Sequence, residues 1–107
     1  MATLSTHVLD TGRGRPAVGL RIVLESVTGD RIGEAVTDAD GRAADLAPHD
    51  LAPGTYRLRF DSGSWFAAQA VEGFYPEVVV TFDLAGDEHF HVPLLLSPFG
   101  YSTYRGS

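Results

Sequence analysis

Hydrophobic and polar residues alternate with a period of two along most of this chain, in short stretches cut by turn residues. Tyr56, Leu58 and Phe60 alternate with Arg57, Arg59 and Asp61, and Leu20, Ile22 and Leu24 alternate with Arg21, Val23 and Glu25. A period of two sends one set of side chains to a core and the other toward water, the signature of a half-buried strand. Leu4 to Asp10, about Ile32 to Thr37, Val78 to Leu84, Phe90 to Leu96 and Tyr101 to Arg105 are further strand-sized pieces, rich in the branched and aromatic residues that suit a pleated surface. Arg42 to Leu46 is a candidate edge strand. Thr11-Gly12, Arg15-Pro16, Gly29-Asp30, Asp40-Gly41, Pro53-Gly54, Ser62-Gly63, Gly86-Asp87 and Pro98-Phe99-Gly100 supply the turns. Residues 64–72, SWFAAQAVE, break the pattern and predict about two turns of helix. Ser62 or Ser64 is placed to cap its start, Gly73 to provide a left-handed end, and Pro76 to stop it. The pattern predicts an all-β, two-sheet antiparallel sandwich of seven to eight strands with one short helix.

A length of 107 residues predicts a single domain over 1–107, with no repeat or linker inside it. There are no cysteines, so disulfides, thiolate metal sites and a cysteine nucleophile are excluded. The start, MATLSTHVLDTGRG, lacks the basic region and apolar run of a secretory signal, and no apolar stretch is long enough to cross a bilayer. The expectation is a soluble, cytoplasmic protein. Net charge is −6, from eight Arg, no Lys and fourteen acids, which opposes binding to nucleic acid or an anionic membrane. Without lysine, Schiff-base chemistry on a side chain is excluded, and each side-chain cation is a planar guanidinium suited to carbonyls and carboxylates.

Candidate chemistry concentrates in the last nineteen residues, HFHVPLLLSPFGYSTYRGS. They read as strand, Pro-Phe-Gly turn, strand, then Tyr104-Arg105-Gly106-Ser107, an ordered ending where most chains fray. His89 and His91 face the same side of a strand. His7 lies mid-strand near the other end of the sequence, and His49 sits in the loop APHDLAPG. Taken singly, a strand histidine is more often structural than functional. His89 and His91 with His7 have a spacing that permits a three-histidine metal site, but no carboxylate motif accompanies them and no metal is expected. The sequence contains no nucleophile elbow, phosphate loop or HExxH. From pattern alone, Arg42 in TDADGR reads as a solvated hairpin residue, as do Arg57 and Arg59 on their strand. Arg105 stands out beside a serine hydroxyl and a carboxylate.

The segments LSTHVLDTGRGRPAVGLRIVLE, TDADGR, FYPE at 74–77 and HFHVPLLLSPFGYSTYRGS together resemble the 5-hydroxyisourate hydrolases, the transthyretin-like enzymes of urate breakdown. The likeness runs from end to end, and the Tyr-Arg-Gly-Ser ending separates these hydrolases from transthyretin, the hormone carrier of the same fold. The resemblance implies a transthyretin-like sandwich that assembles as a homotetramer, a dimer of dimers, with sites in clefts where dimers meet. It implies His7, Arg42 and His91 as catalytic residues and Tyr104, Arg105, Gly106 and Ser107 as substrate-binding residues. No cofactor is implied, and neither His89 nor Arg57 and Arg59 receive a role.

The implied substrate is a small oxidised purine, 5-hydroxyisourate, whose six-membered ring opens by hydrolysis of an acyl C–N bond. The implied product is 2-oxo-4-hydroxy-4-carboxy-5-ureidoimidazoline. Water is a poor nucleophile at neutral pH, so one of His7 and His91 is expected to activate it while the other orients it or serves the leaving nitrogen. Arg42 and Arg105 are expected to hold ring carbonyls and the developing oxyanion. Gly106 is expected to let backbone approach the ligand, and Ser107 to contribute its hydroxyl or carboxylate. Two rival readings are a carrier of a small aromatic ligand and a structural sandwich of adhesin type. Neither needs a histidine pair or the tetrapeptide ending.

Overall fold

The computed structural model describes residues 2–47 and 50–106; His49 and Ser107 lie outside the described residues. Nine strands and one helix follow in the order β1 (Thr3–Asp10), β2 (Arg15–Pro16), β3 (Arg21–Ser26), β4 (Arg31–Val36), β5 (Arg42–Ala43), β6 (Gly54–Phe60), α1 (Ser62–Ala67), β7 (Val78–Leu84), β8 (His89–Ser97) and β9 (Gly100–Thr103). One sheet runs β2-β1-β8-β9, with β5 also paired to β1; the other runs β4-β3-β6-β7. The two-sheet sandwich read from the alternation is therefore present. The strand beyond the eight anticipated is the two-residue β2, too short to leave a periodic signal; β5 is the edge strand expected over Arg42 to Leu46, shortened to two residues.

Pairing is antiparallel except between β1 and β8, which run parallel over eight positions from Thr3↔His89 to Asp10↔Leu96. Parallel neighbours cannot be joined by a hairpin. The intervening chain meets the requirement by building the whole second sheet between them. The buried faces are the alternate sets anticipated in the sequence: Leu4 and Val8 of β1, Ile22 and Leu24 of β3, Leu58 and Phe60 of β6, and Phe90, Val92, Leu94 and Leu96 of β8 pack in one core. Thr6, fully buried among them, donates its hydroxyl to the Val92 carbonyl, which meets the need of a polar group in an apolar interior.

The helix departs from the expected 64–72. It spans Ser62–Ala67, with Asp61 at its N-cap and no side-chain capping bond. Ser62, proposed as a cap, is buried and its hydroxyl has no hydrogen-bond partner among the described residues. The left-handed residue is Ala70, at φ 57°, rather than Gly73. Phe66 explains the shortening: its carbonyl accepts from both Gln69 and Val71, closing the helix in a turn while its ring stays in the core. Among the described residues no helix is long and apolar enough to cross a membrane.

Candidate active site

The outward face of the β1–β8 sheet carries the candidate residues. Burial alternates along β1, with Leu4, Thr6, Val8 and Asp10 inward and Thr3, Ser5, His7 and Leu9 outward. On β8, His89 and His91 are outward while Phe90 and Val92 are buried. In the parallel register Ser5 pairs with His91 and His7 with Pro93. On the other side of β1, His7 is the cross-strand partner of Arg42, and directly opposed residues project to the same face. His7, Arg42 and His91 thus converge on one patch, with both imidazoles half-buried. Arg42, which the pattern alone left in water, stands beside a histidine.

A turn built by Asp38 places Arg42. Its Oδ1 accepts the backbone N–H of Asp40 at 2.9 Å and of Arg42 at 3.0 Å. Those two N–H groups, Arg42 first, hold the Asp38 carboxyl below the usual carboxylate range; the charges of Arg42 and His7 add to the effect. Gly41 closes the turn at φ 76°, and a Cβ there would lie 2.5 Å from the Val8 carbonyl oxygen. Only glycine accepts both the left-handed backbone and that approach. The turn also aims the Asp40 carbonyl at His7, whose Nε2–H donates to it at 2.8 Å. A carbonyl only accepts, so neutral His7 carries its proton on Nε2 and its lone pair on Nδ1.

His91 is held differently. Its Nδ1 lies 2.8 Å from the Ser5 hydroxyl, leaving Nε2 without a hydrogen-bond partner among the described residues. Burial, then the charges of Arg42, His7 and His89, hold His91 below the usual histidine value, while the Ser5 backbone pulls the other way. A half-buried imidazole beside a guanidinium therefore favours its neutral form, the form that can accept a proton. Behind it the chain returns after β9. The Gly106 N–H donates to the His91 carbonyl at 2.9 Å, and a Cβ on Gly106 would stand 2.6 Å from the His91 ring. Gly106 thus approaches the His91 ring closely and backs it tightly.

Tyr104 and Arg105 lie on the side of His91 away from His7 and Arg42, toward a shared cleft. Tyr104 is exposed. The Arg105 guanidinium pairs with the Glu88 carboxylate and lies 4.8 Å from the centre of the Phe90 ring. Both line a cleft of about 340 Å³ with Val80, Phe82 and Phe90, which His91 also borders. A cleft of about 410 Å³ beside α1, between Arg13, Arg15, Trp65 and Gln69, holds none of the candidate residues. Among the described residues no three His, Asp or Glu side chains are grouped to hold a metal ion; His7 and His91 spend one nitrogen each on Asp40 and Ser5. Sequence reasoning passed over Ser5 and Asp38, and placed His89 on the face of His91 without giving it a role. Their signals were the two-residue spacing Ser5-x-His7, the His89-x-His91 pair and the Asp two residues before Asp-Gly.

Fold and site together define a β-sandwich of transthyretin type with a histidine–arginine centre on the outer face of one sheet. Residues 4–106 match the model of the HIUase/Transthyretin family, and the chain belongs to that family. It is 45% identical to the 5-hydroxyisourate hydrolase of Caulobacter vibrioides, over all of both chains. It superposes on the 5-hydroxyisourate hydrolase of Klebsiella pneumoniae with a TM-score of 0.94 and 41% identity, again over all of both chains. Sea bream transthyretin in complex with thyroxine shares the fold at a TM-score of 0.88, with 30% identity over 97% of this chain and 94% of that one.

Proposed function

We propose that this chain is a single-domain hydrolase of 5-hydroxyisourate. The observation that carries the reading is the placement of two half-buried histidines and an arginine on one sheet face. Relatives that bear the hydrolase name at 45% identity support it. The water attacks the ring carbonyl and gives a proton to histidine; the carbonyl oxygen becomes an oxyanion beside a guanidinium. Collapse breaks the acyl C–N bond, and the leaving nitrogen takes the proton back. The product is 2-oxo-4-hydroxy-4-carboxy-5-ureidoimidazoline.

His91 is the better placed of the two to act as base, because its Nε2 is not engaged by the described residues. His7, fixed by Asp40, orients the water through Nδ1. Arg42 sits across from His7, where its fork can meet the oxyanion and a carbonyl edge of the ring. An open sheet face gives a small ligand few walls, and a second subunit laid over it would enclose the site. Among the described residues the edge strands β4, β7 and β9 have no strand on their outer side, which suits pairing with another copy. We read the assembly as a homotetramer, a dimer of dimers with sites between subunits. Tyr104, Arg105, Gly106 and Ser107 would then contact substrate bound there, with Arg105 exchanging Glu88 for a substrate carbonyl. With a net charge of −6, the partner is a small molecule rather than nucleic acid or a membrane, and the location is cytoplasmic.

The test is the ultraviolet decay of freshly made 5-hydroxyisourate with and without the protein. Decay at the spontaneous rate in both samples would reject the reading.

A further inference from the structure

Four side chains on the outward face form an unbroken hydrogen-bonded line. Thr3 Oγ1 lies 2.6 Å from His89 Nδ1, His89 Nε2 lies 2.8 Å from the Ser5 hydroxyl, and that hydroxyl lies 2.8 Å from His91 Nδ1. The line begins at two exposed residues, Thr3 and His89, and ends at the half-buried His91. Nothing in a sandwich's stability calls for two imidazoles bridged by one serine. The arrangement has a consequence for protons, because a hydroxyl has a single hydrogen to give.

We propose that Thr3, His89 and Ser5 form a relay that fixes which nitrogen of His91 carries its proton and carries the charge His91 gains in turnover out to His89. Ser5 and His89 are positioning residues, and the proposal rests on the hydrolase reading for its kinetic arm only. Two neutral arrangements exist. In the first, His91 Nδ1–H donates to Ser5, Ser5 donates to His89 Nε2, and His89 Nδ1–H donates to Thr3. His91 Nε2 is then a bare base. In the second every donor reverses, and His91 Nε2–H is a donor. When His91 in the first arrangement takes the water proton at Nε2, its Nδ1 proton moves to Ser5 as the Ser5 proton moves to His89 Nε2. The positive charge now rests on the exposed ring, away from Arg42 and His7, which face His91 from β5 and β1. When the leaving nitrogen removes the proton from His91 Nε2, the same hydrogens step back and the relay is reset. No proton is gained or lost over the cycle.

The test uses the full chain labelled with ¹⁵N-histidine, together with the ultraviolet assay. In the wild type the His91 ring shifts should report one dominant tautomer. His89→Ala and Ser5→Ala should move the His91 ¹⁵N shifts toward a tautomer mixture, and Ser5→Thr, which keeps the hydroxyl, should restore the wild-type shifts. Turnover in His89→Ala should fall about tenfold, the factor that one hydrogen bond of ordinary net strength confers, with KM little changed. Imidazole added to the buffer should recover it, because the vacated position is exposed. The double variant should be no slower than Ser5→Ala alone. His91 shifts that are the same in the wild type and both alanine variants would overturn the relay, whatever the rates. So would an active wild type whose variants match its rate, or a loss that imidazole does not rescue and that adds in the double variant. An inactive wild type would reject the hydrolase reading instead, and the shifts alone would then decide the relay.

Discussion

Replacing Gly106 with alanine separates the geometry of His91 from the stability of the fold. The new methyl carbon would stand 2.6 Å from His91 Cδ2, 3.3 Å from Cγ and 3.2 Å from a Pro93 ring carbon. Ordinary contact begins near 3.4 Å, so the ring and the backbone must separate by roughly 0.8 Å, the difference between those two distances. Pro93 is buried and the His91 ring is tied to Ser5. The strain divides between tilting the imidazole and lifting the terminal segment. Lifting sacrifices the one backbone bond from Gly106 to His91, about 1 kcal/mol, which lowers the melting temperature by roughly 4–8 °C in a domain of this size. Tilting moves the base by a large fraction of an ångström, a displacement that costs up to about a hundredfold in rate. Either way His91 loses the wall behind it. The expected outcome is a folded protein with a modestly lower melting temperature and a kcat reduced by about one to two powers of ten in the ultraviolet assay. Wild-type kcat in Gly106→Ala would refute the argument that the terminal backbone holds the imidazole in place. A collapse of the fold would refute the claim that the strain is local.

Other outcomes follow from the same site. His7→Ala and His91→Ala should each lower turnover by about two to four powers of ten, the usual range for losing acid–base assistance; circular dichroism should remain that of the wild type, and near-normal rates in both would remove the histidines from the mechanism. Arg42→Lys keeps the charge but loses the fork, so kcat/KM should fall at least about tenfold; a lysine variant as fast as the wild type would mean that a point charge suffices. His91 lies below the usual histidine value through burial and the charges of Arg42, His7 and His89. It is inactive as a base when protonated, so the rising limb of kcat/KM against pH should fall on the acid side of an ordinary histidine. Arg42→Gln removes one of those charges and should shift the limb upward, and a limb that stays put would separate Arg42 electrostatically from His91.

Local physics was legible in the sequence, and long-range register was not. The alternation of Tyr56, Leu58 and Phe60 reports a half-buried strand because each residue carries its own burial preference. The two-residue strands Arg15–Pro16 and Arg42–Ala43 carry no such period, and Arg15-Pro16 reads as a turn on its own. The helix ends early because the buried Phe66 ring and the turn that closes on its carbonyl outweigh the propensity of Ala67, Ala68 and Ala70. The parallel pairing of β1 with β8 has no sequence signal at all, yet it is what puts Ser5 beside His91. That is why the roles of His7, Arg42 and His91 came from resemblance, why the pattern set His89 beside His91 without a role, and why Ser5 came from neither. Arg42 also shows the limit of reading a turn dipeptide: Asp40-Gly41 announces the bend, but its destination depends on Asp38 and Val8.

The parallel seam also sets the timing of the site's birth. Ser5 and His91 are 86 positions apart, so the first strand leaves the ribosome long before its partner is made. Contacts this remote in sequence close slowly, because the loop's entropy is lost before the contacts repay it. The second sheet, made of β3, β4, β6 and β7, can form first and wait. The face that carries Ser5, His7 and His91 is therefore completed late, when the eighth strand seats itself along the first.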